Sequence, residues 1–565
     1  MREPTPLPSP PRRPARPAHL PTKPVVVELD RDADPATGHP SHRAQSPVSD
    51  TGNTSSSTAP PKSSRLPPRP RPALRRRATA ALLLLILSLG ALPLLTGLTQ
   101  QPSDNPREIE ALAIADETWR SSSTAGPEAS TLERLVPMLG GQPILDQPPG
   151  QTWFTVLAFG PLDPATTTPA TQLFRARLLS VIMSLITLGA VFWAGQSLGG
   201  LRTAVFASLV VLANPLLVIH GRLATPEMLT TGWTMLSVAA ALWAIRPLRP
   251  SPKVLRQAVG WGLCGVALGL ATLVRGPAVV PQVVLPLLLI SMICPRRMSH
   301  VMGLAAAGAG AALMTIPWAI YVHQQDPHVW SDWLELLRPP TDLGVLAQAV
   351  AMRSGALLVG SGVWGLMVIA ALIAPWTIKH PRARRAMLIG WVWAVSVIGL
   401  VMLGPVFGES GWSDLVAEVL LVVPVLALAV AQLLQRVGDV ARAGGRSPAW
   451  PKVALLTAGL VLTASLVGPV VLAQRSLGMA TMHTAYWVGT GAVLVLLGVL
   501  AARWAVRPFP GRAVACWSAW TLAATTLVMI PASQGALRLP QAQQEIHDRP
   551  DVEVRSGHRE LSISA

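Results

Sequence analysis

The sequence predicts an all-α, polytopic transmembrane helical bundle, and three observations predict it. Half of the 565 residues are hydrophobic and only 13% are charged, where soluble chains carry about 25% charge. Uncharged runs of about 20 residues, the length a helix needs to cross a hydrocarbon core, recur along most of the chain. Lys and Arg collect in alternate segments between these runs, which is how orientation in a membrane is encoded. The net charge of +17 lies in these short clusters and in the N-terminal tail, not along one helix face, so a nucleic-acid partner is excluded. Cys264, Cys294 and Cys516 stand singly, which argues against a disulfide framework or a thiolate metal site.

The elements follow in order. Residues 1–77 are rich in Pro, Arg, Ser and Thr with almost no aliphatic periodicity; they cannot bury enough apolar surface to offset the entropy of ordering and read as a disordered cytoplasmic tail. The tail ends in Arg75-Arg76-Arg77, and the uncharged run 78–98 is the first span. That run begins far from Met1 and no small-residue cleavage site clearly follows it, so a cleaved signal peptide is not expected. Further spans are read near 175–197, 202–219, 225–245, 258–274, 277–294, 301–322, 355–378, 386–404, 415–435, 453–473, 485–502 and 513–532. These make roughly 13 spans in a domain covering 78–532, followed by a short extracytoplasmic tail, 533–565, too small for a core of its own.

Basic residues such as Arg246, Arg249, Arg296, Arg297, Lys379, Arg382, Arg436, Arg446, Arg503 and Arg507 fall on one side. This predicts a cytoplasmic N-terminus. The opposite, extracytoplasmic side holds a long first loop, 99–172, expected to contain amphipathic helices, and a second loop, 323–353. Tryptophans such as Trp330, Trp333, Trp376, Trp412 and Trp487 lie near span ends, as an interfacial belt requires.

Ionisable residues at the outer ends of several helices are functional candidates, because charge is tolerated at membrane depth only against protein or a water-filled cavity. Four places carry them. Asp104, Arg107 and Glu110 open the first outer loop; Asp146 and Gln147 precede Pro148-Pro149; His220, Gly221, Arg222, Pro226 and Glu227 form a tight outer turn; and Arg275 precedes Gly276-Pro277. Three arginines near one outer cavity suit a phosphate or diphosphate, since a guanidinium is a forked, permanently charged donor set. The neighbouring carboxylates suit general-base work or a divalent ion, and the pattern leaves metal use open. Taken singly, an Arg at a helix end snorkels to the headgroups, and a lone His such as His220 or His323 reads as structural.

These residues, in this order, resemble the membrane glycosyltransferases of the protein O-mannosyltransferase and lipid A aminoarabinose transferase type: glycosyltransferase family 39 and its bacterial relatives, with the GT-C fold. Asp104-Asn105-Pro106-Arg107-x-x-Glu110 is similar to that family's Asp-Glu-x-Arg-x-x-Glu. The likeness continues through Leu135-Val136-Pro137, Gly141-Gln142-Pro143, Asp146-Gln147-Pro148-Pro149, Arg175-Ala176-Arg177-Leu178, Gly221-Arg222-x-x-x-Pro226-Glu227, Leu273-Val274-Arg275-Gly276-Pro277 and Pro317-Trp318. It departs at Gln147, where the family carries Lys.

The resemblance implies a transferase that moves a sugar from a polyprenyl-phosphate donor to a lipid, glycan or protein acceptor. The reaction would take place at the extracytoplasmic face of a bacterial-type inner membrane, with inversion at the sugar carbon. It implies Asp104 as the catalytic carboxylate, Arg107, Arg222 and Arg275 as the donor-phosphate ligands, and Glu110, Asp146, Gln147 and Glu227 in support. Two other readings stay open at this point: a transporter or flippase for a lipid-linked saccharide, and a catalytically weak relative that binds a polyprenyl lipid.

Overall fold

The computed structural model describes residues 72–534 except 100–104, 125–135, 146, 165, 246–253, 295, 330, 332–341, 362–363, 379–380, 404–418, 443–452, 454–455, 462, 465–481 and 506–509. The tail 1–71, the C-terminal residues 535–565 and two of the candidate carboxylates, Asp104 and Asp146, lie outside the described residues.

The described chain is helical apart from one small hairpin. Helix α1, Pro72–Leu95, begins before the arginine triplet and carries it in its first turns. In the first outer loop, where amphipathic helices are expected, the described residues form α2 (Pro106–Thr124) and α3 (Gly150–Phe159). Between them a hairpin pairs β1 (Met138–Leu139) with β2 (Gln142–Pro143), in the register Met138 opposite Pro143. Its turn is Gly140-Gly141, with φ of 62° and 75°. Two successive positive φ values are what a two-residue hairpin of this twist demands, and glycine supplies them without strain. The Glu117 carboxylate of α2 accepts both turn N–H groups, at 2.8 and 2.7 Å, and Thr118 Oγ1 accepts the N–H of Met138. The run Gly141-Gln142-Pro143 is thereby fastened to α2.

The bundle proper starts with α4 (Pro169–Leu198), capped by Thr168 with Pro169 at the first helical position. The span expected over 202–219 is two helices, α5 (Leu201–Leu212) and α6 (Pro215–His220). The break is chemical. Asn214 accepts the N–H of Leu216 at 3.0 Å as an N-cap, and Pro215 starts a new helix because it has no N–H to continue the old one.

Then follow α7 (Pro226–Ile245), α8 (Val254–Arg275), α9 (Val279–Ile293) and α10 (Arg297–Gln325). The expected span 355–378 is likewise divided, into α11 (Leu343–Gly360), which begins inside the predicted second outer loop, and α12 (Gly365–Thr377). The remaining described helices are α13 (Pro381–Met402), α14 (Val423–Arg442), α15 (Met482–Ala505) and α16 (Pro510–Gln534). Among the described residues, seven helices or helix segments are long and apolar enough to cross a membrane, in α1, α4, α7, α8, α10, α13 and α14, and five shorter apolar ones accompany them. This is an integral membrane protein.

The core lies where α4, α7 and α8 pack side by side with α10 against α8, and α5 beside α14. Helix α7 is buried almost all round and is lined by Ala, Ser and Thr, as helices that must approach closely in lipid require. Two smaller clusters seat the outer loop on this core. Val136, Trp153 and Leu273 pack with Trp318, whose ring meets that of Trp153 edge-on at 5.4 Å. Ala115, Trp119 and Phe159 pack on Ala176 and Ala224. The outer helices are thus docked on the ends of α4, α8 and α10 by apolar contacts.

Candidate active site at the junction of the outer loop and the bundle

Asn105 starts α2 as a capping residue: its side chain accepts the N–H of Arg107 at 3.0 Å and its carbonyl accepts those of Glu108 and Ile109, with Pro106 at the first helical position. This cap fixes where the next two side chains go. Arg107 donates from Nη1 to Glu227 Oε1 at 3.1 Å, with 46% of the Arg107 side chain exposed and 3% of Glu227. Glu110 is exposed on α2, and the described partner of Arg107 is Glu227, not Glu110.

Glu108 turns inward. It takes a bidentate pair from Arg177 of α4, Nε to Oε1 at 2.9 Å and Nη2 to Oε2 at 2.7 Å, with both side chains 0% exposed. Glu108 Oε1 also accepts the N–H of Ala224 at 2.7 Å, and Arg177 Nη1 donates to the Leu98 carbonyl at 3.1 Å. One ion pair therefore joins α2, α4, the 221–225 turn and the end of α1. Sequence reasoning noted Arg177 in a motif and passed over Glu108. The available signal was a charge within an otherwise apolar span, which needs a buried partner.

Arg222 is buried, and its Nη1 donates to the carbonyls of Pro93, at 2.8 Å, and Thr96. Those carbonyls lie at and just past the end of α1, where carbonyls run out of helical partners. Burial, and then the positive charge of Arg177, bring the Arg222 guanidinium down to about 10, so it stays charged at neutral pH. The described contacts of this predicted phosphate ligand go to α1.

The prolines and glycines assemble the rest. Gly150 starts α3 against the last turn of α8: a Cβ there would lie 2.6 Å from both the carbonyl carbon and oxygen of Leu273. Gly276 ends α8 at φ 80°, with its N–H bonded to the Thr272 carbonyl at 2.7 Å, and faces Pro148. This is the left-handed cap that favours glycine. Gln151 Nε2 donates to the Ala224 carbonyl at 2.8 Å. The segment after Gln147, which is itself exposed, thus meets both the 221–225 turn and the Arg275 turn. Gly150→Ala is expected to destabilise the protein by about 1–3 kcal/mol, as overpacking does when the obstacle is backbone; a thermal melt in detergent checks it.

Around Glu227 the charges converge. Arg275 is the leading cation acting on its carboxylate, His220 acts on it as well, and the Thr225 hydroxyl adjoins it. The buried Nδ1 of His220 and Oε2 of Glu227 complete no well-formed hydrogen bond among the described residues. Burial holds the His220 imidazole below its ordinary value; Glu227 opposes that and Arg107 reinforces it. Unfolded histidine titrates near about 6.5, so between that pH and the lower folded value the unfolded chain binds more protons. Stability is then full above about pH 6.5 and is lost as the pH falls towards the folded value. His220→Gln is expected to remove that component of an acid-side melting series. In the sequence His220 reads as structural within the same outer turn as Glu227; what the fold adds is its burial beside that carboxylate.

Among the described residues no three of His, Cys, Asp and Glu gather as a metal set. Of the predicted site residues, the structure brings Arg107, Glu227 and Arg275 to one locus, directs Arg222 to the end of α1 and leaves Glu110 and Gln147 at the surface.

Residues 135–331, the stretch from the hairpin to α10, match the family model for dolichyl-phosphate-mannose-protein mannosyltransferase. The structure of ArnT from Cupriavidus metallidurans in the apo state superposes with a TM-score of 0.56 at 18% identity, covering 80% of this chain and 78% of that one. The bundle is a GT-C, ArnT-like fold. ArnT from the same organism bound to undecaprenyl phosphate superposes equally, at 17% identity over 82% of this chain and 78% of that one. In sequence, the undecaprenyl phosphate-alpha-4-amino-4-deoxy-L-arabinose arabinosyl transferase of Pectobacterium atrosepticum is 24% identical over 223 residues. The corresponding transferase of Erwinia tasmaniensis is 27% identical over 232 residues. Each alignment covers 39% of this chain and 39% of the relative, so the likeness to these curated relatives spans about two fifths of their length.

Proposed function

We propose that this ArnT-like protein is an integral membrane glycosyltransferase moving a sugar from a polyprenyl-phosphate donor to a lipid, glycan or protein acceptor. The reaction is placed at the extracytoplasmic face of a bacterial-type inner membrane, with the N-terminus cytoplasmic. The transferase domain is residues 78–532, flanked by the tails 1–77 and 533–565. The observation that carries the reading is the Arg107–Glu227 ion pair, with Arg275 beside it, at the junction of the outer loop with a GT-C bundle.

In this reading Asp104, just before the cap of α2, accepts the acceptor's proton as the acceptor attacks the sugar carbon. The bond to the phosphate oxygen breaks, and negative charge grows on the departing polyprenyl phosphate. Arg107 and Arg275 stabilise that charge, and preorganised cations at the site of developing charge are worth most where water is excluded. Glu227 orients Arg107, Arg222 secures α1 next to the same loop, and Glu110, Asp146 and Gln147 act in support.

Asp104→Asn in proteoliposomes supplied with a radiolabelled polyprenyl-phosphate sugar is expected to abolish transfer while retaining donor binding. Transfer at the native rate would overturn the assignment of Asp104. Scrambling of the labelled lipid by the native protein without any transfer would instead identify a flippase.

A further inference from the structure

At the end of the bundle away from Glu227, α5, α14 and α16 line an open cavity of about 400 Å³. Helix α5 leads through Asn214 and α6 to His220, and Arg202 sits in its opposite, first turn, about 15 Å along the axis from Leu212 at 1.5 Å per residue. Three helices distant in sequence each contribute an arginine to the lining: Arg202 from the first turn of α5, Arg442 from the last turn of α14 and Arg512 from the first turn of α16. Phe206 and Leu434 supply apolar wall, and Gly511 lines the space beside Phe206.

The cations are held in place. Asp439 bridges Arg442, at 2.8 Å, and Arg202, at 3.6 Å. The Arg512 guanidinium carbon stands 4.5 Å over the Trp504 ring, a stacked arrangement that favours arginine. Gln435, on the cavity wall, donates to the Gly199 carbonyl at 3.2 Å and accepts from the Thr203 hydroxyl, fixing α14 against the junction of α4 and α5.

We propose that this cavity binds the phosphate headgroup of an anionic phospholipid, with the acyl chains leaving along Phe206 and Leu434. Three arginines, with one carboxylate shared between two of them, leave a net positive lining that calls for an anion, and forked guanidinium groups match phosphate oxygens. The volume is that of a small-molecule site. A soluble anion would make no use of the apolar wall, whereas a lipid satisfies both halves at once, as basic pockets between helices at a membrane face do. Arginines of ordinary basic loops reach the headgroups one by one; here exposed arginines from three helices line one open groove. The bound lipid would tie α5, α14 and α16 together.

The test uses the full chain in neutral detergent, with native mass spectrometry and thermal unfolding as readouts. Phosphatidylglycerol is expected to remain bound and to raise the unfolding temperature. The combined Arg202→Gln, Arg442→Gln and Arg512→Gln variant is expected to lose affinity by about tenfold or more, roughly 1.4 kcal/mol. Gly511→Leu, which fills the cavity beside Phe206 and leaves every arginine in place, is expected to weaken binding as well, and it carries the test even if the triple variant fails to fold. Arg384→Gln, an exposed arginine on another helix, is expected to change nothing. Equal stabilisation by phosphatidylcholine, an equal shift with inorganic phosphate alone, or an equal loss in Arg384→Gln would each overturn the proposal.

Discussion

Arg107→Gln is expected to lower transfer from the polyprenyl-phosphate donor by about 10²–10³-fold, the usual effect of removing one preorganised donor from a site of developing charge. The side chain is suited to the task by two facts that pull in opposite directions: one nitrogen is pinned by the buried Glu227 carboxylate, yet 46% of the group remains open. A cation anchored by a buried carboxylate while much of its surface stays exposed is oriented before the substrate arrives. It therefore loses little conformational entropy in binding, and its electrostatic effect falls on the transition state. The loss is expected in kcat and kcat/KM together, because charge on the leaving phosphate grows only as the bond breaks. Arg107→Lys keeps the charge without the fork and is expected to recover only part of the rate. Glu227→Gln, acting through Arg107, is expected to slow transfer less than Arg107→Gln and to be rescued by no change of donor concentration. Native kcat in Arg107→Gln would remove the residue from the mechanism.

Arg177→Met is expected to destabilise the protein by about 3–5 kcal/mol, the largest effect on stability among these substitutions. The reason is the asymmetry of buried ion pairs: the pair itself contributes little net energy, but a lone charge left in an apolar interior is very unfavourable. With Arg177 gone, Glu108, fully buried, keeps the Ala224 N–H and loses its bidentate partner. Adding Glu108→Leu removes the stranded charge and is expected to restore most of the stability. A remaining deficit of about 1–3 kcal/mol is expected from the Ala224 N–H, which then lacks its acceptor. A double-mutant cycle followed by unfolding in detergent measures this directly: strong non-additivity is expected, and additive losses would mean that the two residues do not act as a unit.

The helices were largely legible because lipid leaves the backbone no alternative. An apolar run such as 225–245 has to be helical to satisfy its own N–H and C=O groups, and α7 covers Pro226–Ile245. The capping and breaking chemistry of Asn214-Pro215 was equally present in the sequence, yet hydropathy averaged over a window merged α5 and α6 into one span. The glycines and prolines of the motifs also carried their meaning locally: Gly140-Gly141 turns a hairpin and Gly276 caps a helix. That Gly150 abuts Leu273 could not be read, since the two are far apart in the chain.

What the sequence determined by itself was the class of molecule, the placement of most helices and the short set of polar residues that a membrane protein has to justify. Which of those residues face one another was decided by the tertiary structure alone. Glu108 and Glu227 are alike as residues, but the phase of α2 and the docking of the 221–225 turn give one Arg177 in a sealed interior and the other Arg107 at an open junction. The physical reason is one of range. Hydropathy and capping act over a few residues and are written in local order, whereas an ion pair is chosen by where two helices cross, and that follows from the packing of the whole bundle.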